Sequence, residues 1–136
     1  MTRVSFLILG LCILVSEFGQ AEMTKVEFTK SMDEKMPKKI CDTMTKSGHN
    51  PLRECFSFSG ETCINALKPL VHQCSSDALP SMPLTLKGTG DKNTDPGGHW
   101  AVVIAICTEK KLMSQFAEKR AKTKMCDGWA ADTARR

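Results

Sequence analysis

The sequence is poor in aromatic residues and has none of the familiar short catalytic motifs. Aromatic side chains make up 6% of the 136 residues, tyrosine is absent, and no basic run is interleaved with aromatic residues. Because single-stranded nucleic acids are bound by stacking on aromatic side chains beside positive charge, we expect no nucleic-acid partner. There is also no H-E-x-x-H, G-x-S-x-G or glycine-rich phosphate loop, so we predict a protein that is not an enzyme and has no cofactor.

The chain also lacks an apolar run long enough to cross a membrane. The longest run, residues 4–15, is shorter than the roughly 20 residues of a transmembrane helix. Arg3 precedes it and Gly19-Gln20-Ala21 follows it, which is the order of a secretory signal peptide with its cleavage site. We therefore predict that residues 1–21 are an export signal. Residues 22–136 then form a single periplasmic or extracellular domain with no membrane span.

Seven cysteines are present, and Cys12 lies within the predicted signal peptide. An even number of cysteines in an exported domain predicts a set of disulfides. There is no C-x-x-C pair and no spacing typical of a zinc site, so we expect no metal at these positions. The six cysteines predicted to form disulfides are Cys41, Cys55, Cys63, Cys74, Cys107 and Cys126.

The pairing of these cysteines is only partly constrained by the sequence. Cys63 and Cys74 fall on one predicted helix about 16 Å apart, which is too far for a disulfide. Many pairings remain, and we favour the set that ties the first helix to the last and anchors a long loop. This set is Cys41–Cys126, Cys55–Cys63 and Cys74–Cys107.

Helical periodicity runs through the first half of the predicted domain. Pro37 interrupts it, and either kinks one long helix or, as we favour, lies in the first turn of a second helix that ends at Gly48. Ser59 has the side chain of an N-cap and begins a further helix, in which Pro69 predicts a bend or a break. The apolar residues that define these faces are Val26, Met32, Met36, Ile40 and Met44, followed by Cys63, Leu67, Leu70, Val71 and Cys74.

The region that follows Trp100 is ambiguous, because it contains the β-branched residues Val102, Val103, Ile104 and Ile106. Helical spacing of its apolar residues favours a helix to about Lys122 instead. Residues 130–136 are predicted to be disordered. The fold prediction is all-α: a small disulfide-stapled helical bundle of four to five helices with one long loop.

The long loop, residues 75–98, is the first place where function is expected. Within it, Asp91, Asn93 and Asp95 put oxygen side chains at alternating positions. This stretch resembles the start of an EF-hand calcium loop, except that Pro96 and Val102 replace the usual glycine and bidentate glutamate. A surface turn is therefore the favoured interpretation, with calcium binding as the alternative.

His99 and Trp100 complete the predicted binding residues, together with Asp91, Asn93 and Asp95. The imidazole and the indole offer a titratable contact and a stacking surface, although a tryptophan beside a loop more often seals a core. Methionines on one helical face could hold Cu(I), but core packing is the favoured interpretation for them.

The net charge of +4 is concentrated in residues 118–124 and 135–136. An anionic surface is one partner that this charge fits, and a solvated helix face is the favoured interpretation. We predict a small exported non-enzymatic binding protein whose partner is another protein, such as an inhibitor, immunity-type factor, secreted effector or assembly accessory. Two alternatives stay open: a secreted hydrolase with a dispersed site, such as His72 with Asp77 or Asp95, and a small-ligand or lipid carrier with an interhelical cavity.

Overall fold

The structure of the protein is a computed structural model that describes residues 22–42, 50–88 and 95–136. These ranges contain five α-helices and a two-stranded antiparallel ribbon. In chain order the elements are β1 (Glu22–Thr24), α1 (Lys25–Asp42), α2 (Pro51–Phe56), α3 (Gly60–Ala78), β2 (Thr85–Lys87), α4 (Pro96–Gln115) and α5 (Lys124–Arg135). Short 3-10 turns follow α3 and α4, at Leu79–Ser81 and Ala117–Lys119. The predicted disulfide-stapled helical bundle is confirmed, while the predicted signal peptide lies outside the described residues.

Helices α1 and α3 form an antiparallel pair at the centre of the bundle. Cys41, in the last turn of α1, forms a disulfide with Cys63 in the first turn of α3. At the opposite end, Lys25 Nζ donates a hydrogen bond to the Leu79 carbonyl at 3.2 Å. Each contact joins the start of one helix to the end of the other, so the two helices are antiparallel.

Helix α4 completes the core. Its first turn lies against α1, because a Cβ added at Gly97 would be 3.7 Å from the Phe28 ring. Further along, Cys107 forms a disulfide with Cys74 of α3. The β-branched residues after Trp100 are helical, as predicted. Fully buried apolar side chains from the three helices fill the space between them: Phe28, Met32, Met36, Leu67, Val71, Ile104 and Leu112.

The ribbon is an element that the sequence analysis did not predict. Met23 of β1 pairs with Leu86 of β2, and Leu86 is buried against the core. A capping box joins β1 to α1: the Thr24 N–H donates to Glu27 Oε2 at 2.8 Å, and the Glu27 N–H donates to Thr24 Oγ1 at 3.2 Å. Hydrogen bonds from the Thr24 backbone and side chain hold the pKa of Glu27 below its ordinary value.

Pro37 does not divide the first helix, so the favoured prediction of two helices is wrong. Helix α1 runs through Pro37 without interruption, and the proline ring is fully buried. An interior proline costs about 3 kcal/mol, but the buried neighbours Met36 and Ile40 stabilise the continuous helix by removing apolar surface from water. Packing therefore outweighs the local cost. The predicted helix end at Gly48 lies outside the described residues.

Helix α3 begins as predicted. The Ser59 hydroxyl accepts a hydrogen bond from the Thr62 N–H at 3.3 Å, which makes Ser59 the N-cap. All five residues of the predicted apolar face are buried. Helix α3 is continuous through Pro69, so the proline does not break it.

The three disulfides are Cys41–Cys63, Cys55–Cys126 and Cys74–Cys107. The predicted Cys74–Cys107 pair is confirmed, and the predicted Cys41–Cys126 and Cys55–Cys63 pairs are wrong. The reason is the antiparallel packing of α1 on α3, which brings the end of one helix to the start of the other. Helix α2 lies beside the start of α5 instead, with a Cα separation of 5.6 Å at Cys55–Cys126.

The predicted loop of residues 75–98 is shorter than expected at both ends. Helix α3 continues to Ala78 because Ser75 and Ala78 pack into the core, and α4 already begins at Pro96. Helix α4 ends at Gln115 and not near Lys122. Residues 130–136, predicted to be disordered, belong to α5 except for the last residue, and Thr133 is buried.

The long helices give the molecule two ends. The ribbon end contains β1, β2, the first turns of α1 and α4 and the last turn of α3. The disulfide end contains Cys41–Cys63, Cys55–Cys126, α2, the start of α5 and a cluster of four rings, which are Phe56, Phe58, Phe116 and Trp129. Along the 18 residues of α1, the ends are about 27 Å apart. No helix in the described ranges is long and apolar enough to span a bilayer.

Candidate functional site

Asp95, one of the predicted binding residues, caps the N-terminus of α4. Its Oδ1 accepts the Gly97 N–H at 2.9 Å, and its backbone carbonyl accepts the His99 N–H at 3.1 Å. Pro96 occupies the first helical position, where a missing N–H is tolerated. Only 6% of Asp95 is exposed. The Asp95 carboxylate therefore caps the N-terminus of α4 and is not exposed on the surface.

His99 and Trp100 differ in how far they reach solvent. His99 is exposed, whereas Trp100 is half-buried and packs against the core. Their rings meet edge to face with centroids 5.3 Å apart. Trp100 thus seals the core under the first turn of α4, and the imidazole of His99 is available to a partner.

Two apolar side chains are exposed at the same end of the molecule. Leu84 is 78% exposed and Val26 is 61% exposed. The Lys25 N–H donates to the Leu84 carbonyl at 3.0 Å, so the segments that carry these side chains are directly bonded. Exposed aliphatic residues on segments that are bonded to each other are more informative than scattered ones. The ribbon-end surface is defined as Val26, Leu84, His99 and Trp100.

A histidine–carboxylate pair lies between α1 and α3. His72 Nδ1 is 2.7 Å from Asp33 Oδ2, and Asp77 pairs with Lys111 at 3.8 Å. The His72 side chain is 71% exposed, while Asp33 Oδ1 is buried without a hydrogen-bond partner among the described residues. When a carboxylate holds Nδ1, Nε2 is left as the free nitrogen, which is the arrangement of an oriented general base.

A buried ion pair joins α4 to α5. Glu109 is 3% exposed, and its Oε2 lies 3.2 Å from Arg136 Nη1. Burial raises the pKa of Glu109, while the charge of Arg136 and a hydrogen bond from the Trp129 side chain lower it in part. Glu109 Oε1, Thr133 Oγ1 and Arg136 Nε are buried without hydrogen-bond partners among the described residues. The interface between the two helices therefore contains a buried polar cluster.

The metal predictions fall mostly outside the described part of the chain. Asp91 and Asn93 are not among the described residues, so calcium binding stays a prediction. Within the described ranges, no group of three or more histidine, cysteine, aspartate or glutamate side chains is placed to hold a metal ion. Met32 and Met36 are fully buried in the core, where packing accounts for them.

The sequence analysis missed two features that carry recognisable signals. Thr24 and Glu27 form the T-x-x-E spacing of a capping box. Glu109 lies on the same helical face as the apolar residues Ala105 and Leu112, and this spacing predicts that its carboxylate is buried. The partner of His72 had no such signal, because Asp33 is distant in the chain. The chain matches no protein-family model, no curated protein and no solved structure.

Proposed function

We propose that this protein is an exported, non-enzymatic binding protein that contacts another protein through the ribbon-end surface. Three disulfides support export, because such bonds persist in oxidising compartments. The predicted signal peptide at residues 1–21 supports it too. An inhibitor, immunity-type factor, secreted effector or assembly accessory each works by presenting a fixed surface to a partner.

The observation that carries this proposal is the exposure of Val26 and Leu84 on two segments that the backbone hydrogen bond from Lys25 to Leu84 joins. Burying a large aliphatic side chain contributes about 1.5–3 kcal/mol to the free energy of binding. A protein partner that covers Val26 and Leu84 gains this contribution twice. The capping box and the bond from Lys25 to Leu84 already order the backbone here, so binding loses little conformational entropy. Trp100 adds an aromatic edge, and aromatic residues are enriched at protein interfaces.

The experiment begins with capture of the partner from the compartment in which the protein resides. The dissociation constant is then measured by calorimetry with the purified partner. We expect the double variant Val26→Ser/Leu84→Ser to bind about 100-fold more weakly, since two buried aliphatic contacts are lost. Met125→Ser is the matched control, because it removes an exposed hydrophobic side chain at the disulfide end. Equal affinities of the double variant and the unaltered protein would refute this assignment.

A secreted hydrolase is the second candidate, and the His72–Asp33 pair is the observation that favours it. A histidine oriented by a carboxylate can take a proton from water or from a nucleophile. The test is hydrolysis of chromogenic ester, peptide and glycoside substrates by the unaltered protein, His72→Asn and Asp33→Asn. Activity that falls about 100-fold or more in His72→Asn supports the hydrolase. Absent activity, or activity that both variants retain, rejects it.

A further inference from the structure

The segment between α4 and α5 carries exposed positive charge on the surface of the disulfide end. Residues 118–125 include four basic residues and one acidic residue. The positive charge of Arg120 is balanced by Asp127, because Arg120 Nη1 lies 2.7 Å from Asp127 Oδ1. Lys119, Lys122 and Lys124 are exposed, and none of them forms an ion pair with a carboxylate of the described residues.

These lysines lie on an ordered connection between two helices. The sequence analysis had favoured a solvated helix face for them. Helix α4 has ended before them, at Gln115. The Ala121 N–H donates to the Cys55 carbonyl at 2.7 Å, and the Cys55–Cys126 disulfide holds the next turn of chain. Lys119 Nζ lies 5.7 Å from the centre of the Phe116 ring. Because the backbone is already ordered, little entropy is lost when this surface binds.

An exposed apolar side chain lies in the same short segment of chain as the three lysines. Met125 follows Lys124 directly and is 40% exposed. Helix α5 has 12 residues, and the positive end of its dipole adds to the charge of the lysines around it. Exposed cationic side chains close in the chain to an exposed apolar one fit the boundary between lipid head groups and acyl chains. A soluble polyanion would satisfy the charges but would offer Met125 no apolar contact.

We propose that Lys119, Lys122, Lys124 and Met125 form a docking surface for an anionic lipid bilayer. The charges attract the acidic head groups, and Met125 enters the interface between them. This contact places the disulfide end on the membrane and leaves the ribbon end, about 27 Å away along α1, facing the solution. The inference is independent of which protein the ribbon end binds.

The test is co-sedimentation of the oxidised full-length protein with vesicles of phosphatidylcholine, alone or mixed with phosphatidylglycerol. Each lysine near an anionic membrane changes the partition coefficient about fivefold, so we expect Lys119→Gln/Lys122→Gln/Lys124→Gln to lower it about 100-fold. The matched control, Lys30→Gln/Lys68→Gln/Lys110→Gln, removes three exposed lysines from α1, α3 and α4 and changes the net charge equally. All variants share one N-terminus, so any contribution of residues 1–21 is the same in each.

The expected results are binding to the mixed vesicles only, a large loss in the first triple variant and a much smaller loss in the control. We also expect Met125→Ser to bind several-fold more weakly. Equal losses in both triple variants, or no binding to the mixed vesicles, would overturn the proposal. So would tighter binding to soluble heparin than to vesicles with no effect of Met125→Ser, which would indicate a soluble polyanion. The proposed protein partner is tested separately, by Val26→Ser/Leu84→Ser.

Discussion

The disulfide end and the ribbon end are held in place by different interactions. At the disulfide end, Cys41–Cys63 joins α1 to α3, and Cys55–Cys126 joins α2 to α5. The third bond, Cys74–Cys107, joins α3 to α4 and leaves β1, β2 and the first turn of α1 without a covalent tie. The ribbon end instead depends on hydrogen bonds, on the capping box and on the burial of Leu86.

This difference shows that the two more exposed aliphatic side chains, Val26 and Leu84, lie at the end that has fewer covalent bonds. The disulfide end joins the elements around its ring cluster by covalent bonds, and Lys119, Lys122 and Lys124 are exposed on its surface. The ribbon end exposes Val26 and Leu84 on segments that only non-covalent contacts hold. Regions without covalent ties open more readily, and binding surfaces are often drawn from such regions. The comparison predicts how each end responds when its own contacts are removed.

Removal of the Cys55–Cys126 disulfide is expected to have the largest effect. The bond closes a sequence separation of 71 residues, so Cys55→Ala/Cys126→Ala should lower the free energy of unfolding by about 4 kcal/mol. Urea denaturation of the oxidised protein measures this, with mass spectrometry to check the other two bonds. Amide exchange in β1 and β2 should not change, because this bond does not reach the ribbon end. Faster exchange there would show that the two ends are coupled.

Matched N-cap substitutions at the two ends should have a smaller effect. Thr24→Ala removes the cap of α1 at the ribbon end, and Ser59→Ala removes the cap of α3 at the disulfide end, each at about 1 kcal/mol. Amide exchange should separate them. We expect the first turn of α1 to lose protection in Thr24→Ala, whereas the first turn of α3 stays protected in Ser59→Ala because Cys63 is bonded to Cys41. Equal loss of protection in both helices would contradict the comparison.

The smallest expected effect concerns the two attachments of α5. Its first turn is held by Cys126 and its last by the ion pair of Arg136 with Glu109. Burial raises the pKa of Glu109 above its ordinary value of 4.5, so the folded protein binds this proton more tightly than the unfolded chain does. The stabilisation linked to this group is fully present below about pH 4.5 and is lost as the pH rises through the raised pKa.

The measurement for this group is the pH dependence of unfolding in the unaltered protein and in Glu109→Gln, which does not titrate. We expect the free energy of unfolding of the unaltered protein, minus that of the variant, to fall as the pH is raised from 4 to 7. A constant difference, or one that increases with pH, would show that the carboxyl is not destabilised by burial.

Local chemistry was sufficient to predict much of the fold. The apolar face of α3 and its Ser59 cap were predicted correctly, because helical spacing and a capping hydroxyl are properties of neighbouring residues. The helix after Trp100 was predicted correctly for the same reason. The position of Pro37 was predicted wrongly because the energetic cost of a proline inside a helix can be read from the local sequence. The burial of its ring depends on tertiary packing. Of the predicted binding residues, Asp95 is buried as the N-cap of α4, whereas His99 is exposed.

The sequence by itself determined the helical class, the even set of cysteines and the surplus of positive charge after α4, since these follow from composition and short-range spacing. Only the tertiary structure decided that Cys41 bonds to Cys63, that His72 pairs with Asp33 and that the Lys25 N–H donates to the Leu84 carbonyl. Each of these contacts joins residues that are far apart in the chain. Their meeting depends on how the helices pack, and side-chain volumes across the whole core set that packing.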